Sequence, residues 1–183
     1  MLLIIYAHPY PRHSHINKAL LESISDLNDV KIHSLYDTYP DFNINVRLEQ
    51  SIVNEAETVV IQHPMQWYNM PALLKLWFDK VFEYGWAYGH EGSALKGKNL
   101  IWVVTTGGQA SHFAYGDFPG FASLSQPLQK TALYCGMKWL PPLILHNTFN
   151  FGDEEIADSV QKYRQHLVHQ CHLTPKSQQE SQS

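Results

Sequence analysis

The chain has 183 residues, a formal net charge of −4 and two cysteines, which is one domain's length, enough to bury a core without disulfide or metal support. Its charges are of mixed sign, with no run of five alike and no basic stripe, and this argues against a nucleic-acid binder. Cys135 and Cys171 stand far apart without CxxC spacing, as in a reduced cytosolic protein, and the opening MLLIIYAHPYP is too short an apolar run for a secretory signal or a membrane span.

Residues 2–7 form an apolar, partly β-branched run, the pattern of a strand buried on both faces. Two prolines in residues 8–13 stop it. Ser14 is then a good N-cap, and residues 15–24 continue as a helix with Ile16, Leu20 and Ile24 on one face. Residues 30–35 alternate as a short strand, and residues 37–45 hold a Pro-Asp turn signal. Residues 44–56 have helical spacing at Leu48, Ile52 and Ala56. Residues 58–62 are a third strand, broken at His63-Pro64. Pro71 opens a helix, where its missing N–H has no partner in any case. That helix carries Leu73, Leu74, Trp77, Phe78 and Val81 on one face, broader than a single sheet contact needs. Residues 84–97 are a glycine-rich loop and residues 99–105 a fourth strand. A helix over 122–136 contains Pro127. Residues 143–147 read as a fifth strand and 153–169 as a last helix. Residues 1–172 thus read as one domain, and the polar stretch 173–183 as a disordered tail.

Strands and helices in alternation imply a parallel sheet with helices on both faces. With five strands in the order 2-1-3-4-5, ligands bind beyond the carboxyl ends where the order reverses. The loops after strands one, three and four meet there. In the first, the helix start around Ser14, His15, Ile16 and Asn17 favours an anion such as phosphate, with His8 beside it; alone, Ser14 reads as readily as a plain cap. The second holds Met65, Gln66, Trp67 and Tyr68, flat and amide-bearing side chains suited to a heterocycle with one apolar and one polar edge. The third is Thr105-Thr106-Gly107-Gly108, whose glycines admit a ring close to the main chain; alone, it is equally a plain turn. Aromatic residues make up 13% of the chain, and many lie in loops beside polar groups, as in a site for something planar. A flavin fits all three loops.

Other chemistries are poorly served. No GxGxxG or GxxxxGK[ST] is present. His8, His13 and His15 cluster in sequence, but no carboxylate or cysteine completes a set, so no metal is expected. No GxSxG elbow and no paired carboxylates lie at the crevice. The reaction then depends on a bound cofactor.

The segments IIYAHPYPRHSHIN, VIQHPMQWYNMPALLKLWFDKVF and VVTTGG, in this order, resemble the flavodoxin-like NAD(P)H:quinone oxidoreductases. The likeness runs to about residue 167. YPDFNI, HPMQWY, GWAYGH and MKWLPP are most similar to that family's ancillary flavoproteins of glutathione-gated potassium efflux. The resemblance implies a flavodoxin-like three-layer sandwich and a homodimer with FMN in each subunit. It implies two-electron reduction of quinones by NADH or NADPH, the two substrates binding in alternation. It also implies docking on a potassium/proton antiporter, at the cytoplasmic face of the inner membrane. An alternative within it is a regulatory subunit whose flavin site is not catalytic. Carried over, the FMN contacts are His8, Ser14, His15, Ile16, Asn17, Met65, Gln66, Trp67, Tyr68, Thr105, Thr106, Gly107 and Gly108. Trp86, Tyr88 and Phe113 would line the substrate pocket. Larger relatives carry a Tyr–His pair after the Thr-Thr-Gly-Gly turn; here that stretch reads Ser111, His112, Phe113 and later Phe118, Pro119. His112 is the candidate to assist the hydride step.

Overall fold

A computed structural model of the chain describes residues 1–11, 14–114 and 120–176. His13, Phe118, Pro119 and the tail beyond Lys176 lie outside them. The centre is a parallel sheet of β1 (Leu2–Tyr6), β2 (Val30–Ser34), β3 (Thr58–Pro64) and β4 (Asn99–Thr105), completed by two short strands, β5 (Lys138–Trp139) and β6 (Leu143–Leu145). The order is β2-β1-β3-β4-β5, with β6 also on β4. The expected order holds, but the fifth place is shared. β5 pairs with the start of β4 and β6 with its end. Pro141 and Pro142 separate them, and two residues in a row without N–H groups cannot continue a ladder.

Side chains along the middle strands alternate between two cores. Leu3, Ile5, Val59, Ile61, Leu100, Trp102 and Val104 face α2 (Leu35–Thr38), α3 (Val46–Asn54), α4 (Ala72–Val81) and α5 (Ala122–Tyr134). Leu2, Ile4, Tyr6, Val60, Ile101 and Val103 face α1 (His15–Glu22) and α6 (Asp153–Cys171). Each such aliphatic side chain contributes roughly 1.5–3 kcal/mol on burial, so helices are needed on both faces and three layers result.

Local pattern misled at several points. β3 runs through His63 and Pro64 instead of stopping at Gln62; both stay in register with β4, and Met65 N donates to Thr105 O at 2.8 Å. This carries the second loop further out over the sheet edge. The stretch 35–38, expected as strand end and loop, is the short helix α2, with Thr38 Oγ1 donating to Ser34 O. By contrast, α5 runs through Pro127 as the helix expected there. On α3 the buried face is Glu49, Ile52 and Val53, while Leu48 is 45% exposed. Glu49 turns inward because it accepts from Tyr39 Oη at 2.5 Å, Trp77 Nε1 at 2.7 Å and His33 Nε2 at 2.8 Å. Three donors offset the desolvation of its charge. Burial pulls its pKa upward, but these bonds outweigh it and hold the carboxyl below its usual range. At the far end, residues 173–176 bind to the body: Asn28 N donates to Thr174 O at 3.0 Å and Lys176 N to Asp26 O at 2.7 Å.

Candidate functional site

From β1 the chain enters α1 on one face, and from β3 it enters α4 on the other. The loops after these strands therefore part company and leave a crevice at the carboxyl edge. Two adjoining cavities fill it, of about 500 Å³ and about 250 Å³, sharing Met65 and Gly107. Every residue assigned to the cofactor from the three loops lines one or the other, as do His112 and Phe113.

The larger cavity holds His8, Ser14, His15, Ile16, Asn17, Gln66 and Thr105. Ser14 precedes α1, yet its hydroxyl makes no bond to the helix main chain. It accepts instead from Asn17 Nδ2 at 3.0 Å. The plain-cap reading of Ser14 is thereby displaced, and the first-turn N–H groups of α1 stay available to an anion. Asn17 is buried, and its amide also donates to Thr105 Oγ1 at 3.1 Å. Tyr6, whose pKa is pushed up to about 12 by burial, lies against Ser14 as well.

The second loop is a two-residue hairpin turn. Gln66 N donates to Asn69 O and Asn69 N to Gln66 O, both at 2.9 Å. Trp67 and Tyr68 at its tip have φ of 48° and 61°. Such a turn needs positive φ at both positions and ordinarily takes Asn and Gly. Two bulky aromatics there are held against a steric cost of order 1 kcal/mol each. Trp67 is nonetheless 94% exposed, so core packing does not explain it. Local strain of this sort clusters at ligand sites.

The third loop is tied to the segment after β6. Thr106 N donates to Leu145 O, Thr148 N to Thr106 O and Asn147 N to Gly108 O. Thr106 Oγ1 donates to Gly108 O at 2.8 Å and so accepts from His146 Nδ1 at 2.9 Å. Burial lowers the His146 pKa. The N–H groups of Gly107 and Gly108 are left without partners among the described residues. A Cβ on Gly107 would sit 2.2 Å from the Phe149 ring, and one on Gly108 3.2 Å from His112 Nδ1. The turn is thus a close-approach surface between two rings. Phe113 meets Tyr68 edge to face across the smaller cavity, 6.0 Å between centroids.

Sequence reading missed Tyr10, Thr148 and Phe149, which also line the larger cavity, and His146 behind it. The signal was present: 146–149 follow a strand at the same carboxyl edge. Trp86 and Tyr88, assigned to the substrate pocket, do not reach the crevice of their own chain. Their loop follows α4, which runs back against the strands and delivers it to the opposite edge. Tyr88 lies 5.5 Å from the Tyr134 ring in a groove of about 660 Å³ between α4 and α5. Trp86 packs on Phe82, and its Nε1 is the buried side-chain polar atom without a partner among the described residues.

The crevice suits a phosphorylated planar ligand. Its volume lies within the roughly 300–1,000 Å³ typical of small-molecule sites, an anion-ready helix start stands at one end, and a glycine-backed aromatic slot at the other. Comparison with known proteins agrees. The glutathione-regulated potassium-efflux system ancillary protein KefF of Klebsiella aerogenes is 61% identical over 168 residues, 92% of this chain and 95% of its own. General stress protein 14 of Treponema denticola, solved in complex with FMN, is 34% identical with a TM-score of 0.86, covering 92% of this chain and 98% of that one. An NADPH-quinone reductase from P. pentosaceus is 30% identical with a TM-score of 0.82, covering 91% and 96%. The family described as having a flavodoxin-like fold matches residues 1–167, and this chain belongs to it.

Proposed function

We propose that the chain is an FMN-dependent NAD(P)H:quinone oxidoreductase that also serves as ancillary regulatory subunit of a glutathione-gated potassium/proton antiporter. The observation that carries this reading is the meeting of three loops in one crevice with an anion-ready end and an aromatic end. Support for the enzyme comes from the FMN complex and the quinone reductase among its structural relatives. Support for the regulatory role comes from the efflux ancillary proteins at 58–61% identity.

When bound, FMN supplies the two-electron hydride chemistry between NADH or NADPH and a quinone. The protein holds and screens it. Ser14 and the first turn of α1 bind the phosphate. The Thr105 hydroxyl, held beside Ser14 by Asn17, serves the phosphate with it, and the N–H groups of Gly107 and Gly108 hold the polar edge of the ring. Met65, Trp67 and Tyr68 cover it and exclude water. Phe113 walls the slot in which nicotinamide and quinone alternate, and His112, whose ring lies beside Gly108, assists the hydride step there. A second copy in the apolar α4–α5 groove makes a homodimer. That groove runs from Asn69 and Met70, just past the second loop, to Tyr88 and Tyr134, so the partner would abut the crevice. Among the described residues no helix is long and apolar enough to cross a membrane; attachment to the cytoplasmic face of the inner membrane would run through the antiporter.

The test is the visible spectrum of the purified protein, mass identification of any released flavin, and NADH oxidation with a quinone after adding FMN. A protein that takes up no flavin and shows no such oxidation ends this reading. Gln66→Ala with Trp67→Ala then separates the two roles: potassium efflux kept while quinone reduction is lost would favour a non-catalytic regulatory subunit.

A further inference from the structure

A chain of hydrogen bonds runs from α6 through the sheet to the crevice. Tyr163 Oη donates to Gln62 Oε1 at 2.8 Å, and Gln62 Nε2 donates to Asn17 Oδ1 at 3.1 Å. Asn17 Nδ2 then donates to Ser14 Oγ and Thr105 Oγ1. Tyr163 and Gln62 are fully buried and Asn17 is 1% exposed. Every link points toward the crevice.

The direction has a physical cause. Burial drives the Tyr163 pKa upward, so the hydroxyl keeps its hydrogen. Gln62 Oε1 is the acceptor it finds. A reversed Gln62 amide would turn an N–H to that oxygen and strand the Tyr163 hydrogen, a buried unpaired donor of the kind native interiors avoid. Gln62 therefore shows its N–H to Asn17. Asn17 answers with its carbonyl and turns both amide hydrogens forward. Ser14 and Thr105 accept from behind, so their own hydrogens are left to donate. The Tyr6 oxygen lies against Ser14, but an oxyanion in the crevice outcompetes it, because charge-assisted bonds are about twice as strong as neutral ones.

We propose that Gln62 and Tyr163, neither of which lines the crevice, are positioning residues: they set the Ser14 and Thr105 hydroxyls as outward donors and so favour a phosphorylated flavin over its unphosphorylated form. This rests on the flavin reading of the crevice. Asn17 becomes the hinge of the relay, with its amide hydrogens directed to side chains and not to the ligand.

The experiment titrates flavin-free full-length protein with FMN and with riboflavin, following the quenching of flavin fluorescence. Tyr163→Phe removes the first donor and Gln62→Met removes both middle bonds at similar volume. In each, FMN binding should weaken about five- to tenfold, and riboflavin binding less than about twofold. Leu167→Ala, one turn along α6 in the same core as Tyr163, should lower stability and keep the wild-type preference. A wild-type preference in Tyr163→Phe or Gln62→Met overturns the proposal. So does an equal shift in Leu167→Ala, which would assign the effect to softened packing. A wild-type chain that binds neither flavin overturns the flavin reading along with it.

Discussion

His63 sits at the end of β3, directly under the second loop, and is 1% exposed. Trp102 Nε1 donates to its Nε2 at 2.8 Å, and its Nδ1 donates to Pro64 O at 2.9 Å. Both ring nitrogens are thus satisfied only in the neutral form. A second proton would face the indole N–H. Burial pushes the His63 pKa down to about 4, against the weaker upward pull of the Pro64 carbonyl. In the unfolded chain the ring titrates near 6.5. As pH falls, the unfolded state therefore takes up the proton first. The stabilising contribution is complete above about pH 6.5, is lost on the way down to about pH 4, and then levels off. At about 1.4 kcal/mol per pH unit, the loss comes to about 3 kcal/mol. His63→Gln keeps an acceptor for Trp102 and a donor for Pro64 but does not titrate. Urea unfolding of both proteins from about pH 8 to about pH 4 gives the comparison. Carboxylates such as Glu49 act on both and cancel in the difference. Wild type should lose about 3 kcal/mol more than His63→Gln across that window. Parallel curves would refute the reasoning, because they would mean that the ring is solvated or charged when folded.

Three further outcomes are expected. Tyr39→Phe deletes one of the three donors to the Glu49 carboxylate and should cost about 1.5–3 kcal/mol in urea unfolding; a loss below about 0.5 kcal/mol would show that water replaces the hydroxyl. Gly107→Ala has only the Phe149 ring to displace, and that ring is 89% exposed. Stability should change by less than about 0.5 kcal/mol, while FMN binding, measured by calorimetry, weakens at least about tenfold; undiminished binding would remove the turn from the site. Tyr134→Glu places a charge on the α4–α5 groove, and light scattering should report a dimer for wild type and a monomer for the variant. A mass unchanged by the substitution would move the dimer contact elsewhere.

The chain's apolar runs and the breaks between them were enough to set the first four strands, the parallel order and the three loops that converge, though not the division of the fifth place between β5 and β6. Burial on both faces is a local composition effect, and right-handed crossovers leave few topologies open. That is why Ser14, Gln66 and Gly107 could be brought to one crevice from the sequence. Side-chain partnership was another matter. The spacing of Leu48, Ile52 and Ala56 gave no hint that Glu49 would be buried, because Tyr39, Trp77 and His33 reach it from three other elements. Trp86 and Tyr88 were assigned through the resemblance, and their place after a helix keeps them from the crevice of their own chain. Asn17 read as a ligand donor until Thr105, 88 positions on, took one of its hydrogens. Tyr163 and Gln62 lie 101 positions apart. A residue's neighbours in the chain fix which way the backbone runs; which polar atoms meet, and in which direction their hydrogens point, is decided only when distant elements pack and water is gone.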